Sequence, residues 1–154
     1  MNMIWRTHLA IGLAIALYFS SKVTYPLLFI PVVLFASLFP DIDSAFSKIG
    51  RKPVFIPVQI ISSHRGFIHS YTIAILLTLG LALLYPIIAL PFFLGYSFHL
   101  FADSFTQQGI RPFWPFKGMS NGSISVGGKM DKTIFYVFVL IDIVLAGTFA
   151  YSFL

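Results

Sequence analysis

Five apolar runs separated by short polar stretches organise the chain, at residues 9–19, 26–39, 67–84, 87–103 and 134–154. A helix rises 1.5 Å per residue, and crossing the hydrocarbon core of a bilayer takes about 20 apolar residues. The pattern therefore predicts an all-α, polytopic membrane bundle of about five transmembrane helices, built as a single membrane-embedded domain over residues 1–154. The first run is opened by Trp5, Arg6, Thr7 and His8. A charged start before a short apolar core also fits a secretory signal peptide, but Tyr18-Phe19-Ser20-Ser21 is a poor small-residue cleavage site, so a retained helix is expected. The second run is interrupted at Pro31 and stops at Pro40-Asp41-Ile42-Asp43-Ser44. If that stop is extended, its two acids face the same side; a helix-ending turn with solvated acids is the alternative. The fifth run carries Asp142 well inside it, and a carboxylate in hydrocarbon is costly enough that this residue must face the bundle interior or a polar cavity.

The polar stretches are unequal. Residues 44–66 hold Lys48, Arg51, Lys52 and Arg65 around an apolar segment, 54–61, that is too short to span and is expected to lie at the membrane interface or to cover a site. Residues 104–132 contain Gly109-Ile110-Arg111-Pro112-Phe113-Trp114-Pro115-Phe116, whose aromatics read as interface anchors, and then a Gly/Ser-rich turn ending at Lys129-Met130-Asp131-Lys132. Tyr85-Pro86 is a tight turn.

Composition sharpens the class. The 154 residues are 58% hydrophobic and 10% charged, against a charged share of about 25% in soluble domains. The absence of cysteine excludes disulfides and thiolate metal sites. A formal charge of +5 has its more economical source in the basic bias of cytoplasmic loops than in a nucleic-acid partner, and no nucleic-acid binding is expected. With five crossings, the N-terminus and the stretches 44–66 and 104–132 share one side and hold every Lys and Arg except Lys22. The positive-inside rule then places the N-terminus in the cytoplasm of a multi-pass plasma (inner) membrane protein.

That topology gathers the chemistry. In the sequence Ser62-Ser63-His64-Arg65-Gly66-Phe67-Ile68-His69-Ser70, the two histidines would diverge on a straight helix. Gly66 is expected to bend the chain there, with His69 in the first turn of the third helix. His99 and Asp103 stand four apart, on one face of the fourth helix, where they can share a metal or form an orienting carboxylate–histidine pair. His8, Asp41, Asp43, His64, His69, His99, Asp103 and Asp131 all fall in one layer at the cytoplasmic helix ends. The joint reading is a metal cluster with nitrogen and oxygen ligands at the membrane boundary.

Thr7-His8 with Gly12, Pro40-Asp41-Ile42-Asp43, His64-Arg65-Gly66-x-x-His69-Ser70, and His99-x-x-x-Asp103 followed by Thr106-x-x-Gly109 and Trp114-Pro115-Phe116 resemble the YdjM family over nearly the whole chain, in order. The resemblance implies an inner-membrane metal-dependent hydrolase whose metal residues are similar in pattern to those of zinc-dependent phospholipase C and single-strand nucleases. Where the family often has Glu before the last helix, this chain has Asp131. The expected cofactors are two or three divalent transition ions, zinc first, with manganese or iron as alternatives. Seven or eight His and Asp side chains exceed the needs of one tetrahedral ion, and paired ions suit phosphoester cleavage. Arg65 and Asp43 are the expected catalytic groups, Arg65 as a bidentate phosphate clamp. The expected partners are the lipid bilayer and a lipid or lipid-linked phosphoester substrate. A non-catalytic metal-binding protein is the main alternative. A metal-ion transporter fits less well, because Asp142 alone is deep in the predicted membrane.

Overall fold

The computed structural model describes residues 5–43 and 67–151. Five α-helices follow one another among these residues: α1 (Trp5–Ser20), α2 (Pro26–Ala36), α3 (Tyr71–Leu84), α4 (Pro86–Ser104) and α5 (Lys129–Tyr151). A 3₁₀ helix, Phe39–Asp43, follows α2, and there are no strands among the described residues, only two isolated bridges, Thr106↔Ile124 and Ile110↔Ser120, within the 105–128 connection. The stretch 54–61 lies outside the described residues.

The all-helical expectation holds, with informative shifts at the ends. α2 continues through Pro31, and the chain at Asp41 is a 3₁₀ turn rather than extended. The third helix begins at Tyr71 because Ser70 is its N-cap: the Ser70 hydroxyl accepts from the Ile73 N–H at 3.3 Å and donates to the Phe67 carbonyl at 2.5 Å. α5 starts at Lys129, so Asp131 sits in its first turn instead of before it.

α4 is the central helix. It packs against α1, α2 and α3, while α1 also packs against α2 and α5. The main core lies where α2, α3 and α4 meet, around Ala36, Ala74, Phe92, Tyr96 and Leu100, with Ile68 and Ile110 from the connections. Gly95 makes the α2–α4 approach possible: a Cβ there would lie 2.3 Å from the Val33 carbonyl oxygen and 2.8 Å from Ala36 Cβ. Gly12 does the same for α1, since a Cβ on it would come within 2.8 Å of the Ser37 side chain. Gly95→Ala is expected to force α2 off α4, because the obstacle is backbone and cannot rotate away. A cost of about 1–3 kcal/mol follows, read as a lower melting temperature of the purified variant in detergent.

Two helices, α4 with 19 residues and α5 with 23, are long and apolar enough to cross a membrane. α5 is not a core helix of the ordinary kind. Leu140, Ile143 and Val144 are each about two-thirds exposed, whereas Asp142 between them is 8% exposed. Water would penalise that surface and lipid would not. The one carboxylate of the helix interior is turned away from it, as expected from the cost of a charge in hydrocarbon.

Candidate metal centre

His8, Asp41, His69, His99 and Asp103 come from four different places in the fold and meet in one buried cluster, each 2% exposed or less. Helical spacing alone joins His99 to Asp103, whose Nε2 and Oδ2 are 3.8 Å apart. Close packing of α1 on α4 brings His8 Nε2 to 3.4 Å from Asp103 Oδ1. His69 Nε2 approaches Asp103 Oδ2 at 3.7 Å, and His99 Nε2 lies 4.0 Å from Asp41 Oδ1. Asp103 is thus forked, with one oxygen toward His8 and the other toward His69 and His99. Two ligand triads result, His8–His99–Asp103 and Asp41–His69–His99, with the ligand atoms in each within 4.8 Å of one another.

The neighbouring polar contacts fix these side chains. His99 Nδ1 lies 2.8 Å from the Ser37 carbonyl. A carbonyl only accepts, so Nδ1 holds the proton and the Nε2 lone pair faces the cluster. His69 is held through its backbone: Tyr96 donates its hydroxyl to the Ile68 carbonyl at 2.6 Å, Ser70 caps α3, and the Tyr71 N–H donates to the Pro112 carbonyl at 2.8 Å. Thr7, just before His8, donates its hydroxyl to Asp131 Oδ1 at 2.7 Å, and the Gly127 N–H donates to Asp131 Oδ2 at 2.8 Å. Both Asp131 oxygens therefore bind the α1 start and the α5 cap, and Asp131 belongs to neither triad. Its geometry is that of a residue that positions His8 through Thr7.

The cluster fits a divalent ion. Both nitrogens of His8 and Nε2 of His99 are buried without a hydrogen-bond partner among the described residues, a costly arrangement for polar atoms unless something else takes their lone pairs. The nitrogen-to-oxygen separations of 3.4–4.0 Å are too long for hydrogen bonds. Two ligands each about 2.0–2.1 Å from a tetrahedral ion stand about 3.4 Å apart, the lower end of that range. Two carboxylates, Asp41 and Asp103, are buried in the same place, and a dication offsets their charge.

Five of the eight residues expected as ligands are assembled here. Asp131 lies one contact away, and His64 and Arg65, together with the side chain of Asp43, lie outside the described residues. Sequence reasoning did not single out Ser37, which acts through its carbonyl and so leaves no mark in residue type. Thr7 was noted only beside His8; its role needed the α1–α5 pairing.

An all-helical bundle with a lipid-compatible helix and a buried histidine–aspartate cluster defines a membrane protein with a candidate metal site. The family described as YdjM inner membrane protein matches residues 3–152, and the chain belongs to it. No curated protein and no solved structure matches the chain.

Proposed function

We propose that the protein is a membrane-bound metal-dependent hydrolase that cleaves a phosphoester of a lipid or lipid-linked substrate at the cytoplasmic face. The observation that carries this reading is the forked Asp103, which faces three histidines in a buried, thiolate-free cluster. Divalent ions held there would supply Lewis acidity toward a phosphoryl oxygen and acidify a water.

The ring geometry favours two ion positions. His8 and His99 are stacked, with centroids 3.9 Å apart and planes 19° apart, whereas two imidazoles on one tetrahedral ion hold their centroids about 5 Å apart. His69 and His99, at 5.5 Å and 61°, match a shared ion. His99 has one lone pair toward the cluster, so it serves one ion only. His8 with Asp103 Oδ1 would hold the other, and Asp103 would bridge.

In this proposal the ions are zinc, or else manganese or iron. Arg65 and Asp43 complete the catalytic set, with Arg65 gripping the phosphate. The multi-pass, N-terminus-inside arrangement is supported by the loop charges and by the apolar outer surface of α5. α1, α2 and α3, at 16, 11 and 14 residues, are shorter than the two clear spanning helices, so any crossing by them uses flanking residues.

The test is turnover by purified protein loaded with zinc or manganese, against labelled phospholipids and lipid-linked phosphoesters. Hydrolysis is expected that disappears on chelation and in His99→Ala and returns when metal is restored to the parent. A fully metallated protein that cleaves nothing in the panel would leave the cluster a structural or regulatory site.

A further inference from the structure

At the starts of α1 and α5 lies a cleft of about 390 Å³ lined by Trp5, Arg6, Thr7, Lys132, Phe135 and Tyr136. It differs from the metal cluster in chemistry. Among the described residues, two cations line it and no carboxylate does. Arg6 and Lys132 are both exposed. The Arg6 guanidinium stands 5.6 Å from the Trp5 ring centroid, within cation–π range, which limits where its donors can point.

The position of Lys132 bears on this chemistry. The residue occupies the first turn of α5, where the partial positive charge of the helix end disfavours a cation. An anion seated between Lys132 and Arg6 would offset that cost. The cleft wall above is aromatic, with Tyr136 one turn beyond Lys132 and 65% exposed, the mixture of cation and aromatic edge found at phosphate depth in membranes.

We infer that this cleft is a binding site for an anionic phosphate group, gripped by Arg6 and Lys132 and lined by Trp5 and Tyr136. Arg6 supplies the planar fork that matches phosphate oxygens and Lys132 a point charge. The site stands apart from the hydrolase reading, since no member of the metal cluster lines it. It does adjoin that cluster through Thr7, which lines the cleft, donates to Asp131 and precedes His8.

Trp5 makes the site directly readable. The chain has two tryptophans, and Trp114→Phe leaves Trp5 as the sole indole. In that background, emission of the detergent-purified protein is followed while inorganic phosphate, glycerol 1-phosphate, short-chain phosphatidylglycerol or short-chain phosphatidylcholine is added. A saturable change with the anionic ligands is expected, and Arg6→Gln with Lys132→Gln should weaken it at least tenfold; phosphatidylcholine should bind weakly, because its choline cation is repelled. Saturation by inorganic phosphate would assign a free-phosphate site, and saturation by phosphatidylglycerol alone would assign a lipid headgroup site. Unchanged metal content in the double variant shows that it is folded, and Arg6→Lys with Lys132→Arg should retain binding. If the double variant cannot be purified, Lys132→Gln alone carries the comparison. No spectral change with any ligand, or equal titration by phosphatidylcholine that survives the double substitution, would overturn the inference.

Discussion

Asp103→Asn is expected to strip the protein of nearly all its bound metal while leaving the helices inserted. Asparagine has almost the shape of aspartate, so packing at this fully buried position is preserved. What is lost is the negative charge and the second ligand oxygen. Asp103 is the residue that faces His8, His69 and His99 together, so in the proposed two-ion arrangement an ion in either half of the cluster would lose a ligand. Changing a residue that only supports a ligand costs about 10–100-fold in metal affinity, and removing a ligand itself should cost at least as much. Elemental analysis of purified parent and variant measures it, with Ser104→Ala as a neighbour that points elsewhere. Metal content equal to the parent in Asp103→Asn would refute the cluster as a metal site.

The legible part of this centre was its local part. His99 and Asp103 are one turn apart on a helix, and a spacing of four residues says so without any tertiary information. Their convergence with His8 and Asp41 was inferred from a layer argument, that all lie at one end of the bundle, and the structure gives it a physical cause. Gly12 and Gly95 let three helices approach until the ligand atoms are within a few ångströms. Asp142 was legible for a different reason: a carboxylate among apolar residues has few affordable directions, and it points inward.

Helix ends were less legible. The start of the fifth helix was read from where its apolar run begins, but its first turn is Lys129-Met130-Asp131-Lys132, which is polar and resembles loop. The cap that sets it is the Gly127 N–H donating to Asp131, a contact that apolar periodicity does not register. Asp131 was a candidate ligand from the shared layer and the family resemblance; within the first turn its two oxygens meet Thr7 and Gly127. Pro31 interrupts the apolar run without ending the helix. It lies only one turn into α2, where few intrahelical bonds are lost, so the helix continues.

Removing the metal should lower the melting temperature of the protein by about 10 °C. Without an ion, His8 and His99 keep buried nitrogens that have no hydrogen-bond partner among the described residues, and the buried carboxylates Asp41 and Asp103 lose the compensation that a dication would add. An ion that binds only the folded state stabilises it by about 4 kcal/mol at a free concentration a thousand times its dissociation constant. In a domain of this size, about 2–4 °C of melting temperature accompanies each kcal/mol. The measurement is thermal unfolding of detergent-purified protein in chelator, then with zinc added back, in parent and Asp103→Asn. The parent should gain the shift with metal and the variant should not. Because this readout needs no substrate, it tests the cluster independently of hydrolysis. A parent that melts at one temperature with and without metal would mean that the five side chains are held by contacts of their own, and the proposed chemistry would lose its cofactor.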